Sequence, residues 1–390
     1  MIRALTIALI VIGIGLAGVF AFAQMGGESS DEAVAAVVDL VLEDREAVLI
    51  KEGSPNFGNE NEINILLLGL DARKSESEPH CDAIHMFTLD IEAWTVHVTS
   101  VPRGTYAYIP PGTYEVGEYY LANACAYAGL DYGIGEIEKI VGVKADYVAT
   151  VGFSQVLGLA RLFDMPTTET LEWLRHRQSY QIGEPQRTHN QAVFIKDMII
   201  SQLGRFESDM SIPLQYLAFK MVDTDMDFAT ARTLMQGFID SGIDERPDDI
   251  VLTMEPHYET VDIHFDVENA ESQIKELMDY IAPLLGEGDF SGRSLEEIQS
   301  ELEVFVQARL AGDDSISELY KKRIWLQVED DELREEFHFE FVQRYVEEIA
   351  GDDPEAAIDV VSEYILEKST LGFDDATEQG RELLGSLISQ

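Results

Sequence analysis

The sequence predicts an α/β domain that is followed by an all-helical region. Three strand-like apolar segments lie close together between residues 64 and 103, and segments with helical periodicity alternate with later strands. From residue 294 onward the pattern is entirely helical, because apolar residues recur at helical spacing between Asp and Gly separators. We therefore expect a sheet core with helices and a separate helical end.

The first predicted strand, residues 65–68, is wholly apolar and is bounded by Gly69, which is typical of a strand buried on both faces. The second strand covers residues 83–89, and the third alternates over residues 95–101. Short connections favour antiparallel pairing, so the first strand should end where the second begins and the third ends. Four charged residues are then expected at one edge of the sheet: Asp71, Arg73, Asp82 and Arg103.

Two carboxylates and two guanidiniums at this edge indicate a divalent cation and an anionic, phosphorylated ligand. The rest of the chain is strongly acidic, with a formal net charge of -46 and a pI of about 4.2. This charge argues against a nucleic-acid partner, because phosphate neutralisation needs a basic surface. Basic residues near an anion site must therefore create a local positive field against an acidic background.

The chain is long enough for two folded units, since it has 390 residues of which 46% are hydrophobic. Its two cysteines, Cys81 and Cys125, are too few for a disulfide scaffold or a zinc site made of thiolates. For Cys81 we favour a small buried side chain at the start of a strand over a catalytic thiol. A disulfide with Cys125 stays open, because it depends on geometry that the sequence does not contain.

The amino-terminal segment, residues 4–23, is apolar or small throughout and long enough to span a bilayer as a helix. Arg3 precedes it and acidic residues follow it, so the amino end should stay in the cytoplasm and the rest of the chain outside. A removed signal peptide is the alternative, because residues 21–23 resemble a cleavage site. The predicted divisions are an anchor or signal at 1–24, a juxtamembrane helix and linker at 25–61, the α/β domain at 62–285 and an acidic helical domain at 290–390, which could bind a protein partner.

Later in the chain, arginines are concentrated in one short stretch that contains Arg175, Arg177 and Arg187. A solvated or ion-paired surface cluster is the alternative to an anion site there. Gln191 follows Arg187 by four residues, so one helix face can present both. Residues 251–254 and 261–265 are predicted as late strands, and a solvated sheet face is favoured over a metal site on the polar side of the second.

Six stretches taken together resemble the LytR-CpsA-Psr family of extracytoplasmic phosphotransferases over residues 62–285: residues 64–73, 81–90, 100–105, 123–129, 147–153 and 175–191. The resemblance implies an α/β/α sandwich with an apolar tunnel for a polyprenyl chain. It also implies transfer of a polyprenyl-pyrophosphate-linked glycopolymer to peptidoglycan or another envelope acceptor, with Mg²⁺ as cofactor and polyprenyl phosphate released. The expected location is the cell membrane, with a single pass and an extracytoplasmic catalytic domain.

The family motifs imply roles for individual residues of this chain. Asp71 and Asp82 match metal-associated carboxylates and, with Arg103, would be catalytic, Asp71 being the proposed general base. The positions that would bind the pyrophosphate are Arg73, Arg103, Arg175, Arg177, Arg187 and Gln191. Arginines and a metal suit phosphoryl transfer, in which the protein mainly positions groups and stabilises charge.

The chain departs from the family pattern at several of these motifs. His80-Cys81-Asp82 stands where the family often has Arg-Ser-Asp, and Gly104 follows Arg103 in place of Asp. Asn190 replaces a second arginine, and Glu184 replaces an Asp. Two rival functions are therefore kept: a non-catalytic polyprenyl-pyrophosphate binder that scaffolds envelope assembly, and a pyrophosphate hydrolase that uses water as acceptor.

Overall fold

The computed structural model describes residues 30–48, 54–71, 79–177, 179–208, 212–285 and 295–388. The chain divides into two compact units, one spanning Ser29–Gly288 and the other including Asp289–Gln390. The predicted membrane segment, residues 4–23, and the predicted boundary between the domains at 62–285 and 290–390 lie outside the described residues. Within the described ranges, no helix is both long enough and apolar enough to cross a bilayer.

The first unit is built on a mixed six-stranded sheet of order β5-β4-β1-β2-β3-β6. Strands β1, β2 and β3 pair antiparallel, which confirms the predicted arrangement. Strand β4 runs parallel to β1, β6 runs parallel to β3, and the short β5 pairs antiparallel with β4. The strands are β1 (Glu62–Asp71), β2 (His80–Asp90), β3 (Thr95–Ser100), β4 (Tyr147–Gly152), β5 (Asp223–Thr224) and β6 (Ile250–Met254).

Helices pack on both faces of this sheet. Short 3₁₀ turns at Val116–Glu118, Ile243–Glu245 and Pro247–Asp249 complete the unit. The helices are α1 (Ser30–Ala47), α2 (Leu121–Ala128), α3 (Leu130–Val141), α4 (Phe153–Leu162), α5 (Thr167–Arg175), α6 (Glu184–Ser208), α7 (Ile212–Lys220), α8 (Phe228–Asp240) and α9 (Ala270–Leu285).

Alternate side chains of β1 enter two separate hydrophobic clusters. Leu66 and Leu68 pack in the cluster that contains α2 and α3 residues, whereas Ile63 packs in the cluster that contains α1 and α8 residues. All three side chains are buried. Each fully buried aliphatic side chain contributes roughly 1.5–3 kcal/mol to burial free energy, and the partly buried Ile65 packs against the cluster of Ile63, so the run is apolar on both faces. The prediction of a strand buried on both faces is confirmed.

Helix α1 belongs to the same compact unit as the sheet, although the sequence analysis placed residues 25–61 before that domain. The Arg45 guanidinium near its end binds the Asp146 carboxylate with two bonds of 2.6 and 2.7 Å. Asp146 also accepts a hydrogen bond of 2.8 Å from the backbone of Asn64 at the start of β1. The ion pair therefore ties the end of α1 to the entrances of β1 and β4.

The predicted strand at residues 261–265 is wrong. These residues form an extended segment without a strand partner, and the side chain of Gln186 on α6 bonds both backbone groups of Val261 at 2.7 and 3.2 Å. His189 and Asp262 approach to 2.6 Å, so the polar side of the segment also contacts α6. An alternating pattern predicts an extended backbone, but a side-chain amide here takes the place of a neighbouring strand.

The described part of the second unit is all helical, as the sequence predicted. Its core contains Trp325 and Phe341, and the side chain of Lys368 is buried in ion pairs with Glu335 and Glu367. Asp330 and Asp353 cap the amino ends of two of its helices. The elements are α10 (Leu295–Ala311), α11 (Ser317–Lys321), a 3₁₀ turn (Ile324–Gln327), α12 (Asp331–Ile349), α13 (Pro354–Leu371) and α14 (Asp374–Ile388).

Candidate functional site

An apolar cavity of about 380 Å³ lies between the sheet and helices α4, α5 and α6. Helix α6 supplies one wall, and its lining residues recur at the three- and four-residue spacing of a single helix face. Because a helix rises 1.5 Å per residue, the lining from Arg187 to Leu203 extends along about 24 Å of α6. The cavity is thus long, and its other α6 residues include Gln191, Phe194, Ile195, Met198 and Ile199.

The charged residues of the cavity lie where α6 begins, and farther along the helix the lining is apolar apart from Gln202. Arg187 and Gln191 lie in the first turns of α6, Arg175 ends α5, and Asp82 lies near the start of β2. The antiparallel meander brings the start of β2 to the sheet edge where β1 ends, as the sequence predicted. A ligand with a charged head and an apolar body would match this distribution of side chains.

A β-bulge at Asp82 aims its side chain at the cavity. Gly69 pairs with Ala83 and Leu70 pairs with Cys81, so Asp82 is an extra residue on β2. Without the bulge, Asp82 would share the face of Ile84, which is buried on the side of α2. With the bulge, Asp82 lines the cavity and Cys81 turns toward α2, where it forms a disulfide with Cys125. The alternative that the sequence left open for the two cysteines is therefore the one observed.

Three arginines converge on one carboxylate at the polar end of the cavity. Glu184 lies 2.8 Å from Arg177 Nη1 and 3.6 Å from Arg103 Nε, and it also forms an ion pair with Arg187. Arg103 forms a second ion pair with Asp82, and Arg187 Nη2 donates to the Asp82 carbonyl oxygen at 2.8 Å. We call Asp82, Arg103, Arg177, Glu184 and Arg187 the arginine cluster. It carries three positive and two negative charges, so its formal charge is positive in a chain that is otherwise acidic.

Burial and the neighbouring carboxylates shift the pKa values of Arg103 and Arg187 in opposite directions. Burial opposes the charged form of Arg103, but Asp82 and Glu184 outweigh it and raise the pKa of Arg103. Burial lowers the pKa of Arg187, which the carboxylates counteract and the neighbouring arginines reinforce. Arginine stays protonated at physiological pH even after such shifts. An anion entering the cluster would therefore relieve the repulsion at Arg187.

The remaining predicted residues with described side chains line the cavity rather than join the cluster. The Arg175 guanidinium lies over the Phe153 ring, 4.5 Å from its centroid. Gln191 Nε2 donates to the Leu174 carbonyl at 2.8 Å. Asp71 ends β1 opposite His80, but its side chain and all of Arg73 lie outside what the structure describes.

Sequence reasoning missed two functional candidates, Glu184 and His85. Glu184 was noted only as a replacement, yet it contacts three arginines of the cluster. His85 lines the cavity, its Nδ1 lies 2.9 Å from Ser100 Oγ, and its Nε2 has no hydrogen-bond partner among the described residues. Burial lowers the pKa of His85 to about 4, with the Arg187 charge acting in the same direction and Gln191 against it. A polar residue inside an apolar strand pattern was the available signal.

The departures from the family pattern have local explanations in part. Cys81 replaces a serine and is bonded to Cys125. Asn190 replaces an arginine, is buried, and accepts a hydrogen bond from Gln186 at 2.8 Å. At Gly104 a Cβ atom would meet nothing within 4 Å, so the missing aspartate is not explained by lack of space.

The described part of the cavity offers a metal ion one carboxylate, that of Asp82. Within the described residues, no group of three or more His, Cys, Asp or Glu side chains could hold a metal ion. Mg²⁺ commonly takes one or two carboxylates together with substrate phosphates. Asp82 supplies one carboxylate at the cavity, and its position at the bulge next to the end of β1 suits such a shared site.

Part of the chain is similar to a known family. The LytR_cpsA_psr family model matches residues 30–165, and a curated relative is 29% identical over 151 residues. Residues 30–165 thus resemble the LytR-CpsA-Psr family. The relative is the polyisoprenyl-teichoic acid--peptidoglycan teichoic acid transferase TagT of Bacillus subtilis (strain 168). The match covers 38% of this chain and 44% of TagT, which is less than half of either protein.

Solved structures similar to this chain include B. subtilis TagV, with 17% identity and a TM-score of 0.40 over 57% of this chain and 98% of TagV. A structure described as TagT bound to LI-WTA has 16% identity and a TM-score of 0.38 over 61% of this chain and 95% of that one. The similarity to the family rests on the sequence matches.

Proposed function

We propose that this protein transfers a glycopolymer from a polyprenyl pyrophosphate carrier to a cell-wall acceptor, and that it releases polyprenyl phosphate. The observation that carries the proposal is the arginine cluster at the polar end of a long apolar cavity. A polyprenyl chain is an apolar body, and a pyrophosphate is an anionic head. The similarity to the LytR-CpsA-Psr family and the transferase activity of the relative TagT support the same class of reaction.

The proposed roles follow from the contacts within the cluster. Arg103, Arg177 and Arg187 bind the pyrophosphate oxygens in exchange for part of their present contacts with Glu184. Arg175 and Gln191 lie where the head group meets the apolar wall. The apolar residues along α6 hold the polyprenyl chain, so the scissile bond is positioned by both ends of the donor.

In the proposed reaction, an acceptor hydroxyl oxygen attacks the phosphorus next to the glycan. A new P–O bond forms, the P–O bond to the lipid-side phosphate breaks, and the leaving group is polyprenyl phosphate. The hydroxyl proton passes to a carboxylate, for which Asp71 is the proposed base. The cluster arginines stabilise the charge that develops on the phosphoryl oxygens.

Mg²⁺ is the proposed cofactor, and when bound it would neutralise charge on the two phosphates. Asp82 and Asp71 are the proposed ligands, because both stand at the sheet edge where β1 ends and β2 begins. Asp82 also contacts Arg103, so it orients that guanidinium toward the phosphates.

The proposed location is the outer side of the cell membrane, with a single anchor at residues 4–23. The Cys81–Cys125 disulfide supports an oxidising compartment, since disulfides are rare in the cytosol. A protein partner for the helices of the second unit belongs to the same proposal.

Binding without turnover is the second candidate function. It is favoured by Gly104, because the carboxylate that the family often has beside Arg103 is missing although space for it exists. The fold would then retain its lipid-pyrophosphate ligand and act as an envelope scaffold.

The test uses the full-length protein in detergent with a polyprenyl-pyrophosphate glycan, Mg²⁺ and peptidoglycan. The lipid phosphate released and the sugar attached to the acceptor are followed together, with Asp82→Ala as the comparison. We expect Mg²⁺-dependent release and sugar transfer that Asp82→Ala abolishes. Release without sugar transfer would indicate a hydrolase, and tight binding without release would indicate the scaffold.

A further inference from the structure

The segment that follows Arg103 exposes large aromatic rings beside the arginine cluster. Ala107 and Ile109 are buried in the hydrophobic cluster that also contains Leu66 and Leu68. Tyr106 is 70% exposed and Tyr108 is 48% exposed. An extended backbone sends alternate side chains to opposite sides, so both tyrosines face outward. Exposed contiguous aromatic surface of this kind marks an interaction site more often than a requirement of folding.

A third tyrosine, Tyr119, lies close to both of these rings. The Tyr119 ring centroid is 6.4 Å from that of Tyr106 and 6.1 Å from that of Tyr108. The Tyr119 ring is stacked with that of Tyr108, with 22° between their planes, and is tilted by 30° from that of Tyr106. We call Tyr106, Tyr108 and Tyr119 the tyrosine platform. It results from two extended segments that run side by side, since Leu121 N donates to Thr105 O at 3.0 Å.

Contacts around the tyrosine platform hold its rings in place. Tyr132 Oη donates to the Tyr108 carbonyl at 2.7 Å, and Tyr114 N donates to Tyr119 Oη at 3.2 Å. A Cβ atom on Gly112 would lie only 2.8 Å from the Tyr108 hydroxyl, so glycine leaves room for that ring. A surface whose rings are already oriented loses little entropy when a ligand binds.

We propose that the tyrosine platform binds sugar rings of the acceptor glycan, an inference that rests on the proposed transferase function. A pyranose has an apolar face of C–H bonds and a rim of hydroxyl groups. A tyrosine ring likewise has a flat apolar face and a polar hydroxyl at its edge. Neighbouring exposed rings can stack on successive sugars of one chain.

The platform is close to the reacting groups of the proposed reaction. Tyr106 lies three residues after Arg103, so their Cα atoms are separated by at most about 10 Å. Ala122 N donates to the Arg103 carbonyl at 3.1 Å, which ties the segment that carries Tyr119 to the same arginine. A glycan on the platform can therefore present a hydroxyl to the pyrophosphate at the arginine cluster.

The charges beside the platform favour an uncharged acceptor glycan over an anionic occupant. Glu115 and Glu118 lie on the loop between Tyr108 and Tyr119, where the Glu118 carboxylate accepts a hydrogen bond of 2.9 Å from Glu115 N. These carboxylates would repel a phosphate-rich donor polymer. They would also repel an anionic membrane surface, which attracts basic rather than acidic segments.

The test measures saccharide binding without any lipid donor, by calorimetry on the full-length protein in detergent. Tetra-N-acetylglucosamine serves as the neutral probe and a hyaluronan tetrasaccharide as the anionic one. We expect saturable binding of the neutral probe and weaker binding of the anionic probe. Tyr106→Ala and Tyr119→Ala should each weaken neutral binding about three- to tenfold, the range expected for loss of one aromatic contact.

Two further variants identify what the rings contribute. Tyr106→Phe should retain binding, because it keeps the flat ring and removes only the hydroxyl. Tyr258→Ala removes a tyrosine that is 40% exposed elsewhere in the unit and should leave binding unchanged. No binding of the neutral probe, equal loss in Tyr258→Ala, or stronger binding of the anionic probe would overturn the proposal.

The outcomes also separate this proposal from the transferase function. Arg187→Ala should leave binding of the neutral probe unchanged, because the probe carries no phosphate. If lipid release succeeds but the platform variants transfer sugar at the wild-type rate, the platform assignment is wrong and the transferase stands. If the platform variants lose binding of neutral phospholipid vesicles instead of sugar, the occupant is a membrane and the proposal fails.

Discussion

Arg45 and Arg187 are both largely buried arginines of the sheet unit, but they differ in how completely their nitrogens are bonded. All three guanidinium nitrogens of Arg45 donate, to the Asp146 carboxylate and to the carbonyls of Asn59 and Glu62. Arg187 donates through Nη2, whereas its Nε has no hydrogen-bond partner among the described residues. A saturated guanidinium holds the fold together, and an unsaturated one keeps capacity for a ligand.

The same difference applies to the carboxylates that these arginines contact. Asp146 forms an ion pair with Arg45 and accepts a hydrogen bond from the backbone of Asn64, and its side chain is only 3% exposed. Glu184 forms ion pairs with three arginines, and its side chain is 20% exposed. Shared, partly solvated ion pairs exchange partners at lower cost than closed ones, because water and the incoming anion can replace the contacts. The comparison therefore separates a structural ion pair from a binding site within one unit.

The largest expected effect is loss of stability when the closed pair is broken. Asp146→Ala leaves the Arg45 charge buried and unpaired, which should reduce the free energy of unfolding by about 3–5 kcal/mol. Urea denaturation of the purified protein measures it. Asp249→Ala is the matched control, because its pair with Arg246 is more exposed and should contribute less than about 1 kcal/mol. Equal effects of the two variants would contradict the distinction.

Removal of the disulfide should have the next largest effect. Cys81 and Cys125 close a loop with a sequence separation of 44 residues, for which chain entropy gives about 4 kcal/mol. The double variant Cys81→Ala/Cys125→Ala should therefore be less stable by roughly 2–4 kcal/mol, because the unfolded chain gains freedom. Unfolding with and without reductant checks this. A reductant effect on the double variant, or none on the wild type, would count against the disulfide.

His85 resembles Arg187 in that its Nε2 atom has no hydrogen-bond partner within the part of the chain that the structure describes. Its pKa in the folded protein, about 4, lies below the ordinary value of 6.5, so the unfolded chain binds the proton first as the pH falls. Stability should therefore decrease as the pH falls from about 6.5 to about 4, by roughly 3 kcal/mol from this group.

His85→Met should flatten that part of the pH profile, because methionine fills an apolar wall without titrating. His338, whose pKa is also lowered by burial, is present in both proteins, so the difference between the two profiles isolates His85. Parallel profiles for the variant and the wild type would show that His85 does not titrate as a buried group.

A smaller effect, on binding rather than stability, is expected at Arg187. Arg187→Ala should weaken polyprenyl pyrophosphate binding by about 10- to 100-fold, because it removes hydrogen bonds from a charged donor. Arg232→Ala is the control in the same unit, where the arginine contacts Gln215 rather than the cluster. Fluorescence titration of both variants measures the difference. Unchanged affinity in Arg187→Ala would show that the arginine cluster is not the head-group site.

The sequence predicted the part of the site that depends on strand order. Asp82 and Arg103 meet because short connections force β1, β2 and β3 into an antiparallel meander. The bulge could not be predicted, since one extra residue on β2 leaves the apolar pattern nearly unchanged while it exchanges the faces of Asp82 and Cys81. The disulfide depends on that exchange of faces, so it could not be predicted from the sequence either.

Contacts between distant segments were the other part that the sequence did not contain. Glu184 contacts several arginines because α6 begins beside the start of β2. No local sequence pattern encodes that position. The predicted strand at residues 261–265 failed for the same reason, because its partner is the Gln186 side chain on α6. Helix positions were predictable, since apolar periodicity is a local property.

The most direct test of the central claim asks whether the cavity and the arginine cluster act as one site. Farnesyl pyrophosphate, farnesol and inorganic pyrophosphate are titrated into the full-length protein, into Arg187→Ala and into Val156→Trp, which fills the cavity wall. We predict that farnesyl pyrophosphate binds the wild type more tightly than either half, that Arg187→Ala loses the pyrophosphate part and that Val156→Trp loses the farnesyl part. Farnesyl pyrophosphate binding no tighter than pyrophosphate, and unaffected by Val156→Trp, would contradict the account.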